Sequence, residues 1–375
     1  MEIQKGRKKR MNKNKKRRIA ILTGGGDCPG INAVIRAITK KAILEHDMEV
    51  IGIKDGYEGL IHNQYRHLSY DDVSGILTLG GTILGTTNKA NPFQYAVKEG
   101  KELKYKDFSS KVLKNIEELE IECLVCIGGD GTLWISHRFY QEGVPVIGVP
   151  KTIDNDIRGT DITFGFNTAV SIATEGIDRI HTTAQSHHRV MIIELMGRKA
   201  GWIALHSGIG GGGDVILIPE IPYQIEKIVN FINKRRATGR HFSIIVVAEG
   251  AKPEGGEEVI KRVVKESAEQ VRLGGISFIL GNQLEKMIES ESRSVIMGHL
   301  QRGGTPTPFD RVLATRLGSR AVDLIIEKCY GQMVSVQGNH LEDYPLDEVA
   351  VGPRLVPADN ELIKAGREIG VCFGN

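Results

Sequence analysis

Cysteine is scarce in this chain: five in 375 residues, at positions 28, 123, 126, 329 and 372. A disulfide framework is excluded at that density. The one close pair, Cys123 and Cys126, lies inside the apolar stretch IECLVCIGG, which reads as a buried strand. Strand residues three apart face opposite sides of a sheet, so the pair is not expected to share a metal or act as a redox couple. Long apolar runs are missing as well. None reaches the length of a bilayer span, and the basic start lacks the apolar stretch of a secretory signal. These absences point to a reducing, cytoplasmic setting with no membrane partner.

Acidic residues are nearly absent from the start of the chain. The first 18 residues hold ten basic side chains (Lys5, Arg7, Lys8, Lys9, Arg10, Lys13, Lys15, Lys16, Arg17 and Arg18) against Glu2 alone. The whole chain carries +3, so the body carries about −6. We read residues 1–17 as a solvated, disordered basic arm, in preference to a contact site for nucleic acid or anionic lipid.

What the chain does have is glycine, 45 residues of it, clustered where strands end. RRIAILT (17–23), MEVIGIKDG (48–56), IECLVCIGG (121–129) and VPVIGVP (144–150) read as strands. Between them, Ile31, Val34, Ile35, Ile38 and Ala42 fall on one helical stripe, and a second helix is expected through TLWISHRFYQEG. The scheme repeats with RVMIIELMG (189–197), DVILIPE (214–220), a helix over 225–239 and HFSIIVVAEG (241–250). MIESESRSV reads as a loop or the start of a strand. Alternation at this spacing predicts an α/β protein: two doubly wound α/β domains with mostly parallel sheets and the active site in the crevice between them. Residues beyond about 350 carry no recognisable pattern.

Three stretches carry chemistry. TGGGDCPGIN (23–32) puts glycines between a strand and a helix, where backbone N–H groups can close on an anion. A plain tight turn explains it equally well. GGDGT (128–132) also joins strand to helix. Gly128 and Gly129 would let a phosphate approach, Asp130 could reach a Mg²⁺ held by phosphate oxygens, and Thr132 stands where an N-cap would. Asp130 as a simple turn residue is the alternative. PKTIDNDI (150–157) sets Asp154 and Asp156 two apart beside Lys151. They form either an Asx turn or a base beside an acceptor hydroxyl with a lysine to neutralise a transferring phosphoryl group.

GGGDCPGINAVIR, GGTILGT, IGGDGT, PKTIDND, HRVMIIELMGR, VVAEG and MGHLQRGG together, in this order and spacing, resemble the 6-phosphofructokinases, in the branch of mixed donor type. The resemblance runs from about residue 18 to about residue 320. It implies that ATP phosphorylates D-fructose 6-phosphate, with Mg²⁺ as cofactor. It makes Asp154 the proton acceptor, Asp130 the metal ligand, and Gly26, Gly129, Gly131 and Thr132 the lining of the nucleotide phosphates. It assigns the sugar phosphate to Thr152, Ile153, Asp154, Met196, Gly197, Arg198 and Glu249, with Leu300 and Gln301 alongside. Arg189, Arg293, His299 and Arg302 would grip the 6-phosphate. In this family the first two of these arginines reach across from a neighbouring subunit, so the resemblance also implies a homo-oligomer, dimer or tetramer, with shared active sites. Asp156 is left to hold the turn. The implied domains are 18–164 plus 299–349 for ATP and Mg²⁺, and 165–298 plus 350–375 for the sugar phosphate.

Two positions bear on the donor. Pyrophosphate-using members commonly carry Asp at the position of Gly131 and Lys at that of Lys151, and bacterial ATP enzymes usually carry Gly at both. This chain splits the pair. A carboxylate at 131 would crowd and repel the α-phosphate of ATP, whereas Lys151 only adds a cation, so ATP is the expected donor and pyrophosphate the alternative. Asn88 stands where bacterial ATP enzymes have Arg, and Lys89 is taken as its substitute on the nucleotide. Arg36 and the segment Gly212, Gly213, Asp214 match effector positions of regulated members, and effector control is left open. A reading of another class, a non-catalytic regulatory subunit recruiting partners through the arm, is disfavoured by Asp130, Thr152, Asp154 and Arg198 all being in place.

Overall fold

Strands buried on both faces need no polar alternation, and the apolar segments here form a parallel sheet of that kind. The computed structural model describes residues 16–100, 102–264, 271–349 and 351–375. The expected basic arm falls mostly on residues 1–15 and so lies outside the described residues. Lys16 and Arg17, counted with that arm, pair instead with Asp47 and Glu122, the latter through Nε and Nη2 at 2.7 and 2.5 Å.

The larger sheet has seven strands in the spatial order His340–Pro345, Gln332–Gln337, Val146–Pro150, Cys123–Gly128, Arg18–Thr23, Glu49–Ile53, Tyr65–His67. The central five are parallel, and each edge strand is antiparallel. Register brings Thr23 beside Ile127 and Gly128 beside Pro150. Three adjacent strands therefore end level, and the glycine loop, GGDGT and PKTIDND emerge side by side. Helices Ile31–His46 and Pro308–Glu327 cover one face. They meet closely because Gly318 has no side chain: a Cβ there would stand 2.8 Å from the carbonyl oxygen of Val34.

The smaller sheet is wholly parallel, in the order Ser292–Ile296, Val190–Leu195, Ser243–Ala248, Val215–Leu217. The segment read as loop or strand start around MIESESRSV is thus the edge strand. Beyond it, the short helical turn Gly298–Arg302 leads the chain back to the larger sheet through Pro308–Glu327. The last residues return to the smaller sheet, where Cys372 bridges Val215 and Phe373 packs fully buried in the core. Among the described residues, antiparallel hairpins not anticipated from the sequence include Tyr95–Glu99 with Glu102–Lys106, Ile260–Val263 with Val271–Leu273, and Gln332–Gln337 with His340–Pro345 at the edge of the larger sheet. Among the described residues no helix is long and apolar enough to cross a membrane.

The unassigned tail is therefore part of the core. Phe373→Ala is expected to destabilise the protein by about 3–5 kcal/mol, as emptying a buried aromatic site does. Urea unfolding followed by circular dichroism measures it, and a loss under about 1 kcal/mol would mean the tail is only loosely docked.

Candidate active site

The first wall of the site is built by close backbone approach. Gly24 N–H donates to Ile127 O at 3.0 Å, Gly25 N–H to Thr87 O at 3.1 Å, and Lys151 N–H to Gly128 O at 2.9 Å. The helix after GGD starts at Asp130 with Gly129 in the N-cap position, so Thr132 is not the cap. It lies in the first turn, buried, with its side chain turned beneath the loops. A Cβ on Gly128 would stand 2.2 Å from Thr132 Cβ, and one on Gly24 would stand 2.5 Å from Thr132 Oγ1. These two glycines make room for Thr132 rather than for a ligand. Around Gly131, in contrast, nothing lies within 4 Å of where a Cβ would be. Asp130 Oδ1 accepts the Gly131 N–H at 2.7 Å, and Asp130 is the first residue of that helix, where a negative charge is favoured.

PKTIDND forms a buried loop in which the roles divide differently from expectation. Asn155, not Asp156, holds the turn. Its φ is 54°, its Oδ1 accepts the Thr163 N–H at 3.0 Å and its Nδ2 donates to Asp161 O at 3.3 Å. A short amide tolerates the left-handed region and supplies both donor and acceptor, which a carboxylate does not. Asp156 is released to face the site. Its carboxyl is pushed well above the usual range, first by burial and then by Asp154 and Asp130, with Arg198 pulling it back. Thr152 Oγ1 accepts the Asp154 N–H at 3.0 Å, and Asp154 Oδ1 is buried without a hydrogen-bond partner among the described residues. Ile153 is fully buried in the core, so only its backbone faces the loop.

Lys151 is buried and donates from Nζ to Gly26 O. Burial lowers its pKa, while Cys28, Asp154 and Asp27 act in the opposite sense. The guanidinium of Arg302 comes down on the same loop. Its Nη1 donates to Asp27 O at 3.2 Å, and a Cβ on Gly26 would stand 2.8 Å from that nitrogen. Gly26 is thus small because Arg302 lies over it.

The second wall comes from the smaller sheet. Met196, Gly197 and Arg198 follow strand Val190–Leu195, with Gly197 at φ 139° and Arg198 at φ 53°. This turn lies so close to Gly250 that a Cβ there would be 1.9 Å from Arg198 O. Glu249 Oε1 accepts the Arg198 N–H at 3.2 Å. The Glu249 carboxyl is pushed up to about 7 by burial first, then by Asp154 and Glu194, against the pull of Arg198 and Arg302. Gln301 is fully buried and accepts the Met196 N–H at 3.0 Å, so it supports the turn. His299 and Leu300 are exposed.

Not every expected residue joins this cluster. Arg189 and Arg293 share the carboxylate of Glu291, at 2.8 and 3.0 Å, at the starting ends of strands Val190–Leu195 and Ser292–Ile296. Arg198 follows the far end of the first of these, and six residues at about 3.3 Å each separate the two ends by roughly 20 Å. Asn88 and Lys89 are exposed, and Lys89 lines a cleft of about 350 Å³ with Glu58, Thr87, Tyr95, Ala96, Lys98 and Leu103. Sequence reasoning missed Arg272 on the second hairpin, which lies within electrostatic reach of Arg198, Arg302 and Glu249. It also missed Arg354, whose partners are backbone carbonyls about two hundred positions away. Neither stands in a motif.

A parallel α/β sheet with glycine loops, clustered carboxylates and arginines at its strand ends defines a protein that handles phosphorylated ligands. A sequence profile of the family described as Phosphofructokinase matches residues 18–325. A Clostridium perfringens (strain 13 / Type A) protein named ATP-dependent 6-phosphofructokinase 2 is 52% identical over 362 residues, covering 96% of this chain and 99% of that protein. An Amycolatopsis mediterranei (strain S699) protein named pyrophosphate–fructose 6-phosphate 1-phosphotransferase is 47% identical over 357 residues, covering 95% and 100%. The solved structure of Pichia pastoris phosphofructokinase in the T-state matches with a TM-score of 0.77 at 30% identity, covering 95% of this chain and 37% of that longer one. The chain belongs to the phosphofructokinase family.

The raised Glu249 carboxyl has a measurable signature. An ordinary carboxyl at 4.5 loses its proton on unfolding, while the folded protein keeps it to about 7. The native state therefore binds more protons between these values, and its stability falls as pH rises through that window. Glu249→Gln removes this penalty. Thermal melts of the ligand-free protein from pH 5 to pH 8 are expected to show the variant gaining stability on the wild type as pH rises. A constant or shrinking difference would contradict the raised value.

Proposed function

We propose that the chain transfers the γ-phosphoryl group of ATP to the 1-hydroxyl of D-fructose 6-phosphate, giving D-fructose 1,6-bisphosphate and ADP. The observation that carries this reading is Asp154. Its buried, unpartnered oxygen stands where the glycine loops of one sheet meet the Arg198–Glu249 turn of the other. A base so placed takes the proton as the hydroxyl attacks phosphorus.

The remaining roles are those the family resemblance implies. Gly26, Gly129, Gly131 and Thr132 border the donor phosphates. Thr152, Met196, Gly197, Arg198 and Glu249 orient the sugar, and His299 and Arg302 receive its 6-phosphate. Arg189 and Arg293 complete that phosphate site in a neighbouring copy, which makes the working unit a homo-oligomer in the cytoplasm. Arginine suits this task because its planar fork binds phosphate oxygens in pairs.

A divalent cation fits the donor set. Asp156 is raised first by burial and then by the like charges of Asp154 and Asp130, and a bound cation would relieve that crowding. Mg²⁺ is commonly held by one or two carboxylates together with substrate phosphates, so a large protein cage is not needed. Asp130 and Asp156 would hold it, and bound Mg²⁺ would neutralise charge on the phosphates. The chain's own residues then position the acceptor and receive its proton.

ATP is favoured as donor by the open space at Gly131. A Cβ there would meet no protein atom within 4 Å, so a carboxylate at this position would act on the ligand rather than on the packing. Pyrophosphate remains the second reading, on the strength of Lys151 at the Gly26 loop and of the Amycolatopsis relative.

Asp154→Asn is expected to lower kcat by roughly 10²–10⁴-fold, the usual loss on removing a general base. A coupled assay of fructose 1,6-bisphosphate formation reads it, and near-wild-type turnover would remove Asp154 from the role. ATP and pyrophosphate assayed side by side test the donor, and faster turnover with pyrophosphate would reverse the assignment. Gly131→Asp should keep the fold while lowering kcat/KM for ATP by roughly 10–100-fold, the scale of a like-charge clash of a few kcal/mol.

A further inference from the structure

The segment 352–356, outside every motif, straps across both walls of the site. Arg354 N–H donates to Asp156 O at 2.7 Å, and Arg354 Nη2 donates to Asn155 O at 2.9 Å and to Asp161 O at 2.8 Å. Nearby, Arg158 Nε donates to Gly352 O at 3.1 Å. One side chain and its own amide thus fix the carbonyls immediately following Asp154. On the other side, the Arg354 guanidinium lies 4.4 Å over the ring of Trp202, and Trp202 Nε1–H donates to Arg354 O at 3.0 Å. Trp202 opens the helix that follows the Gly197–Arg198 turn. Two residues further on, Val356 N–H donates to Glu220 Oε1 at 2.9 Å, and the same oxygen accepts the Gly201 N–H at 3.0 Å.

Burying a guanidinium is costly unless its contacts repay the lost hydration. Here Nη2 is held by backbone carbonyls of the Asp154 loop and the guanidinium plane lies over Trp202, while Nε is buried without a hydrogen-bond partner among the described residues. We propose that Arg354 is a positioning residue for phosphoryl transfer, setting the Asp154 loop at a fixed place against the Arg198 turn. It touches neither substrate. It acts through the left-handed Asn155, whose carbonyl it holds, and so through the direction of the Asp154 carboxylate.

The proposal rests on Asp154 being the base of a fructose-6-phosphate kinase, and the experiment separates the two. In the full-length protein, Arg354→Ala is expected to lower kcat by about 10²-fold, the scale of a misplacement near 1 Å, with both KM values within about threefold of wild type, since binding groups remain. Millimolar guanidinium should restore part of the turnover, and Arg354→Lys should retain part of it, the ammonium lacking the stacked fork. In an Asp154→Asn background, Arg354→Ala should cost nothing more, because the two act as one unit. If Arg354→Ala does not fold, Arg354→Gln takes its place in the same comparisons. The proposal is overturned if kcat stays within threefold, if guanidinium does not rescue, or if the losses multiply in the double variant. A wild type that forms no fructose 1,6-bisphosphate sinks the functional reading itself. An active wild type with Asp154→Asn unimpaired removes the base, and with it the strap's target.

Discussion

Everything in this site depends on the parallel pairing of Arg18–Thr23, Cys123–Gly128 and Val146–Pro150. Parallel strands in register end together, and the loops leaving them must share one small volume. That volume is shared only because glycine fills the contact points. Gly24 and Gly128 yield to Thr132, Gly26 yields to Arg302, and Gly250 yields to the Arg198 turn. Much of the glycine at these strand ends therefore serves packing between loops, and open space is left over above Gly131.

Charge is the second constraint, and it follows from the first. Bringing the loops together also brings Asp130, Asp154, Asp156 and Glu249 together, with Lys151, Arg198, Arg272 and Arg302 among them. Low solvation strengthens each of these interactions. The result is a site in which burial first, and neighbouring acids second, push the Asp156 and Glu249 carboxyls up, with basic side chains close beside them.

The strand-and-helix order was readable because buried parallel strands are short apolar runs ended by glycine, and the motif residues sit at those ends. The hairpins were not, since YAVKE and ELKYK carry no alternation with a buried face, and their strands are largely exposed. Within PKTIDND the turn expected of Asp156 is held by Asn155, to which the sequence reading gave no role. Local sequence shows that a turn is needed but not which side chain finds Thr163 and Asp161. Thr132 was misjudged as a cap because its partners, Gly24 and Gly128, belong to two other strands' ends. Arg354 was invisible for a related reason: it binds backbone carbonyls, and a carbonyl leaves no trace in the identity of its residue.

The emptiness around Gly131 has an evolutionary meaning. A position where a Cβ would meet no protein atom within 4 Å can take up a side chain without displacing the packed loops around it. Donor preference, insofar as it hangs on that position, is a trait a lineage could exchange in one step, whereas the Asp154 loop and the Arg198 turn are tied to two sheets. Relatives of nearly equal similarity named for different donors are what such an uneven architecture produces. The acceptor is written into the fold, and the donor is written on its surface.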